Sequence, residues 1–298
     1  MAVVQGTGAL ASDYNTLRGE VNYWFADPFP SATFGMSIAK YGWGGSEAAA
    51  VIAGNEMTAA QMNALIDRCN IGVDVTAITG ALSQIVAGNP VTAAEFNAIE
   101  TKSDLILANR YDINSAEMSV GGGGNSVRST TWAAAINATY RYSFASFAKA
   151  RYFFNSGGAL TFYAGITGYS TGTGWDGFGF NDIFTDMGTI TMDYDNTTQS
   201  GIGGIPVNTG YFDLGTSWSI IFSQAGVGAY SDAYCTINAR RSATGDYVEI
   251  QVVLTPGVGR SVNGTTTITS NRRILNAQSS GGASLTITAP TYSLIDGL

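Results

Sequence analysis

The sequence predicts an α+β protein in which a small N-terminal helical segment precedes an antiparallel β-sandwich or jelly-roll-like domain. Three observations carry this. A capped-helix pattern recurs before residue 120. After it, apolar residues alternate in short runs broken by glycine turns. The chain also holds 38 Gly in 298 residues with only 12% charged side chains, and 45% of it is hydrophobic. That composition suits a turn-rich β protein with a sizeable core and not a disordered chain, which needs low hydrophobicity and high net charge.

The helical repeat has two clear copies, Val51-Ile52-Ala53-Gly54-Asn55-Glu56-Met57-Thr58-Ala59-Ala60-Gln61-Met62-Asn63-Ala64-Leu65 and Ile85-Val86-Ala87-Gly88-Asn89-Pro90-Val91-Thr92-Ala93-Ala94-Glu95-Phe96-Asn97-Ala98-Ile99, offset by 34 residues. A fainter copy opens the chain, with Gly6, Asp13-Tyr14-Asn15 and Leu17, and Gly precedes Asn by nine positions in all three. Thr58 with Gln61 and Thr92 with Glu95 are capping boxes, in which the Thr hydroxyl accepts an orphan N–H and the Gln or Glu side chain reaches back to the cap. Met57 and Met62, and Val91 and Phe96, stand where a hydrophobic staple places its pair. Helices are therefore expected over residues 58–70 and 92–109, and Ser12-Asp13 would cap another ending before Asp27-Pro28-Phe29-Pro30. Two copies without a shared consensus between them argue for a small helical domain of short hairpins, not a solenoid.

Charge changes where the pattern does. Residues 1–120 hold twelve acidic and five basic side chains, a net of −7, and residues 121–298 hold ten and nine, a net of −1. The run Gly121-Gly122-Gly123-Gly124-Asn125 lies at that boundary and reads as a linker. The expected organisation is a helical, repeat-containing anchoring domain at 1–120, a linker at 121–125 and a β domain at 126–298. In the β domain, residues 145–154 and 159–165 read as an aromatic hairpin turning at Asn155-Ser156-Gly157-Gly158. Residues 247–254 alternate strictly and form the clearest strand. Further strands are expected at 188–194, 218–222, 233–241, 264–270 and 284–289, and the pattern leaves room for helices within 129–138 and 181–187.

Composition excludes much chemistry. There is no His, which removes the commonest general base, Ser-His and Cys-His nucleophile pairs and His-containing metal sites. Cys69 and Cys235 are isolated and read as small buried apolar residues. Net charge is −8 and the only basic pairs are Arg240-Arg241 and Arg272-Arg273, so nucleic-acid binding, which needs a basic footprint, is not expected. No run approaches the ~18 apolar residues of a membrane span, and MAVVQGTGALASDYN lacks the features of a signal peptide. Gly172-Thr173-Gly174-Trp175-Asp176-Gly177 fits a dinucleotide-binding fingerprint, but Phe178-Gly179-Phe180 is a poor helix start, so the segment reads as a loop. Asp176, Asp182, Asp186, Asp193 and Asp195 could hold calcium or supply a glycosidase pair, yet the spacing fits no EF-hand, and turn residues bonding their own backbone are the simpler reading. No catalytic, cofactor or metal residues are assigned.

Asp13-Tyr14-Asn15-Thr16-Leu17, the recurring Thr-Ala-Ala-Gln/Glu-Met/Phe-Asn-Ala, and above all Ala150-Arg151-Tyr152-Phe153-Phe154-Asn155-Ser156-Gly157-Gly158 resemble virion structural proteins of tailed phages. The resemblance is to tail- or neck-associated and fibre-like proteins of T4-like phages and cyanophages. It touches both halves but leaves residues 201–298 unmatched, and it transfers no catalytic residue. It implies a non-enzymatic virion component, assembled in the bacterial cytoplasm, whose partners are tail, neck or baseplate proteins and copies of itself in a trimer or ring. Tyr14, Asn15, Leu17, Met62, Asn63, Phe96 and Asn97 are the expected anchoring residues. A receptor-binding module would instead use Trp175, Phe178 and Phe180 against a host glycan or protein, and a virion glycan hydrolase would use Asp176 or Asp182.

Overall fold

The computed structural model describes residues 10–172 and 175–298; Gly6 of the faint repeat copy and Thr173-Gly174 of the glycine-rich loop lie outside the described residues. Among those described, the chain forms α1 (Ala11–Phe25), α2 (Ala59–Val75), α3 (Ala93–Ala108), β1 (Met118–Arg128), β2 (Ile136–Ser143), α4 (Phe147–Asn155), β3 (Ala159–Thr167) and α5 (Gly177–Met187). Ten strands follow: β4 (Ile190–Met192), β5 (Thr197–Gln199), β6 (Ile205–Pro206), β7 (Ser219–Ala225), β8 (Tyr234–Arg241), β9 (Tyr247–Thr255), β10 (Thr265–Leu275), β11 (Gln278–Ser280), β12 (Ala283–Leu285) and β13 (Thr291–Asp296). The α+β class is as expected. No helix among the described residues is long and apolar enough to cross a membrane.

The chain divides into two compact units. The first holds the chain up to Ser119 with Arg151–Gly157 and Ile274–Thr288, and the second holds Val120–Ala150, Gly158–Arg273 and Ala289–Leu298. The break at Ser119 lies close to the expected boundary, but the two halves are not contiguous in sequence, because two later segments return to the first unit. The expected linker is also corrected: Gly121–Gly124 lies inside β1, hydrogen-bonded to β10 at one end of a sheet. The glycines serve proximity. A Cβ on Gly123 would collide with the Ser270 carbonyl oxygen, so only a residue without one fits.

In the first unit α1, α2 and α3 each pack on the other two. Both capping boxes form: Gln61 N–H donates to Thr58 Oγ1 at 3.3 Å and Thr58 N–H to Gln61 Oε1 at 2.8 Å, with the same pair at Thr92 and Glu95. In α1 the cap is Leu10 and not Ser12; the Asp13 carboxylate accepts the Leu10 N–H at 2.9 Å. Tyr14, Leu17, Trp24, Phe25, Met62, Leu65, Phe96 and Ile99 form the buried interior. The β11–β12 hairpin packs on α2, where the Asp67 carboxylate accepts the Gly282 N–H at 2.8 Å.

The second unit is two antiparallel sheets, ordered β1-β10-β3-β4-β5 and β13-β2-β9-β8-β7-β6. Their inner faces meet in a sandwich-like core: Tyr140 of β2 donates to the Ile268 carbonyl of β10 at 3.0 Å, and its ring lies 6.2 Å from Phe162 of β3. β9 is central, registered with Ile250 opposite both Tyr140 and Ala239. The aromatic hairpin expected at 145–165 is corrected: its first arm is α4. Ser146 starts that helix, its hydroxyl accepting Lys149 N–H and its carbonyl accepting Ala150 N–H. Ala150, Phe153 and Phe154, all buried, follow helical and not alternating spacing. A helix does occur around 181–187, but it starts at Gly177. Gly179, which obscures that start in the sequence, allows close packing, since a Cβ there would lie 2.7 Å from Tyr230.

On β9 the Glu249 side chain is 1% exposed and accepts from Arg141 Nε at 2.9 Å and Arg240 Nε at 2.6 Å. Burial pushes its carboxyl up, but the two guanidinium hydrogen bonds outweigh that and hold it below its ordinary value. The stability this cluster adds is therefore present above the unfolded Glu value of about 4.3 and lost as pH falls through the lower folded value. Urea midpoints measured across that range should drop more steeply in wild type than in Glu249→Gln, which starts less stable at neutral pH and has no such step.

Candidate functional site

The residues that repeat in the first unit act together as backbone clamps. Asn15 donates from Nδ2 to the Val51 carbonyl at 2.8 Å and accepts the Val51 N–H at 3.0 Å. Asn63 does the same to Ile85, at 2.9 and 2.7 Å. Two turns further along each helix a second Asn repeats the contact: Asn70 grips Leu82 at 3.0 and 2.7 Å, and Asn22 accepts the Ala48 N–H at 3.1 Å. The geometry fits because seven helical residues rise about 10.5 Å, and three residues of extended chain span about 10 Å. One helix face thus pins the extended lead-in to the next helix at two points. Cations secure the other end of each lead-in, Arg68 donating to the Ser46 carbonyl at 3.0 Å and Lys102 to the Thr79 carbonyl at 2.9 Å.

The phrase at Arg151–Gly157 forms a second node of the same unit. Arg151 is fully buried and donates to the carbonyls of Ala39, Phe29 and Tyr41 at 3.1, 3.0 and 3.2 Å, with Asp27 at 3.4 Å. Asn155 donates to the carbonyls of Ala39, Tyr41 and Gly42, and its own backbone carbonyl accepts from Trp43 Nε1 at 3.0 Å. Tyr152 hydrogen-bonds Asp27. These contacts order the irregular segment after α1, whose backbone would otherwise be buried without partners.

The expected anchoring residues are accordingly builders of the unit. Tyr14, Leu17, Met62 and Phe96 are at most 2% exposed and offer no surface; Asn15 and Asn63 are clamps, and Asn97 holds the matching position on α3. In the second unit Phe180 is fully buried, 5.1 Å from Trp132, which removes it as a receptor contact. Trp175 is half-buried, and Phe178 is exposed with its ring 5.9 Å from Tyr230. Asp176, fully buried at the N-cap of α5, pairs with Arg260 at 3.0 Å and accepts the Gly257 N–H. Its side chain makes no hydrogen bond to the helix N-terminus. Asp193 accepts N–H bonds from Asp195 and Asn196 at 2.9 and 2.8 Å, the expected turn role. Among the described residues no group of three or more Cys, Asp or Glu could hold a metal ion. Cys69 and Cys235 are buried, and burial pushes both thiols up to about 12, so both stay protonated at neutral pH.

Protein-family models, curated proteins and solved structures yield no match to this chain.

Sequence reasoning misses Asn22, Asn70, Asp67 and the Arg151–Asn155 pair. A signal for the first two exists: Asn15 and Asn22, like Asn63 and Asn70, are seven apart, on one helical face. Among the exposed residues, two large apolar side chains repeat in register. Ile52 and Val86 each follow a clamped residue and are 73% and 67% exposed, and Leu10 is 65% exposed.

Proposed function

We propose that this chain is a structural component of a tailed-phage virion, docking to tail, neck or baseplate proteins through its helical unit and associating with copies of itself through its β unit. The observation that carries the reading is the pair Ile52 and Val86. Two large apolar side chains protrude at the same repeat position from backbone held rigid by Asn15 and Asn63. Exposed apolar residues on a pinned backbone lose little conformational freedom on burial, which suits a permanent protein contact. The sheet ends support self-association: Ile205 on β6 and Leu294 and Ile295 on β13 are exposed on end strands, a template for pairing with another chain. The polar residues with repeated or unusual spacing are engaged in holding backbone, and the resemblance of Arg151–Gly158 to phage structural proteins points the same way.

The test is mass spectrometry of purified particles of the phage that encodes the chain. The polypeptide should be present at stoichiometric level in wild-type particles. With Ile52→Asp and Val86→Asp together it should be lost from them while the purified variant keeps its wild-type circular dichroism. Wild-type particles without the polypeptide would end this reading.

A further inference from the structure

In the six-stranded sheet, Arg141 of β2, Glu249 of β9 and Arg240 of β8 stand directly opposite one another. Their neighbours Tyr140, Ile250 and Ala239 are fully buried in the core, so this row lies on the other face. Glu249 is its floor, 1% exposed, and the two arginine side chains above it are 35% and 37% exposed. Each guanidinium also lies over a ring, Arg141 at 4.5 Å from the centroid of Tyr247 and Arg240 at 4.4 Å from that of Trp218. A carboxylate and a ring together fix each cation. The carboxylate takes Nε and Nη2 of Arg141 and Nε of Arg240; among the described residues nothing accepts from Nη1 of Arg141 or from either Nη of Arg240. The adjacent positions on this face, Thr139, Gln251 and Asn238, are uncharged, so the row carries a net charge of +1 with donors to spare.

Stability alone does not call for this cluster, since apolar side chains of similar volume commonly hold a fold as well as a buried ionic set. What the charged set adds is two guanidiniums that lose little freedom when something binds them. Two Arg beside a Trp and a Tyr is the composition of an interface hot spot, and a sheet face suits a protein surface, where a small molecule takes a concave site. We infer that this face binds the helical unit of a second copy of the chain. Charge selects that occupant. The face cannot meet itself across a two-fold axis without bringing like charges together. The helical unit carries twelve acidic and six basic side chains, Arg151 included. Of its carboxylates only Asp67 is buried, whereas Arg68 and Arg151 both are, so its surface is strongly acidic. A contact between the β unit of one copy and the helical unit of the next is head-to-tail, and closes into a ring or extends as a filament. The inference rests on the self-association proposed above and specifies the two faces that meet.

Sedimentation velocity on the full-length protein tests it. Wild type should associate at low ionic strength and dissociate as salt screens the charges. Replacing Arg141, Glu249 and Arg240 together by Gln removes both guanidiniums without stranding a buried charge, and should raise the dissociation constant about tenfold. Glu249→Gln alone keeps both guanidiniums and raises the charge of the row, so it should associate more tightly than wild type although it is the less stable protein. A cluster with a structural role only gives no such gain. Hydrogen exchange read by mass spectrometry should show protection that grows with concentration in β2 and β8 and also in α1 to α3. Should the triple variant fail to fold, Glu249→Gln and the exchange map carry the test. Unchanged association in the triple variant, no tightening in Glu249→Gln, or concentration-dependent protection confined to the β unit overturns the inference and leaves self-association standing. A chain that stays monomeric at every concentration and salt removes both.

Discussion

Replacing Arg151 by Met should be the most damaging single change in the helical unit, costing roughly 3–5 kcal/mol, the usual loss when one partner of a buried ionic cluster is removed. Met matches the stem of Arg in length but donates nothing, so the carbonyls of Phe29, Ala39 and Tyr41 each lose a donor at a fully buried side chain, and Asp27 loses its guanidinium. Arg151→Lys should recover only part, because a point-like ammonium cannot span three divergent carbonyls as a planar fork does. Urea unfolding read by tryptophan fluorescence is a direct measure, since Trp43 donates to the Asn155 carbonyl beside the site. Equal midpoints for wild type and Arg151→Met would show that the node contributes nothing.

Asn63→Leu is expected to cost about 2 kcal/mol, the penalty for leaving a buried N–H and carbonyl without partners. Leu has the same number and branching of side-chain heavy atoms and is a good helix former, so no cavity opens, propensity effects stay small and the loss reports the clamp. Asn63→Asp separates its two halves: the carboxylate still accepts the Ile85 N–H but cannot donate to the Ile85 carbonyl, so it should fall between wild type and Leu. Exchange protection of the Ile85 amide should drop in Leu and persist in Asp. Because Ile85 lies 22 residues from Asn63 and is itself buried, release of the clamp also frees the approach to α3.

The elements legible in the sequence are those whose cause is local. Thr58 with Gln61 and Thr92 with Glu95 announce their helices three residues at a time, and the alternation of Tyr247–Thr255 announces a strand. α4 passes for a strand because Phe-Ala-Lys-Ala-Arg-Tyr-Phe-Phe is aromatic enough for one, while its helical periodicity is fixed by burial of Ala150, Phe153 and Phe154. The Gly121–Gly124 run reads as a linker until Ser270 is brought against Gly123. Clamps are harder still: an Asn in a helix is ordinary until a carbonyl 22 or 36 residues away turns toward it. For the same reason Tyr14, Met62 and Phe96 carry the repeat without offering a surface, and the residues that do protrude, Ile52 and Val86, stand beside the clamped positions and not on the helices.

The return of Arg151–Gly157 and Ile274–Thr288 to the helical unit sets the order of events during synthesis. On the ribosome, α1 to α3 emerge before α4, so the segment after α1 has no Arg151 to satisfy it until α4 is made. Asp67 meets the Gly282 amide only once the β11–β12 hairpin has been made. The helical unit is therefore begun before the β unit and completed only after β10 of that unit has been made. A chain ending anywhere before Thr288 carries α1 to α3 intact in sequence but lacks part of the segments that complete their unit.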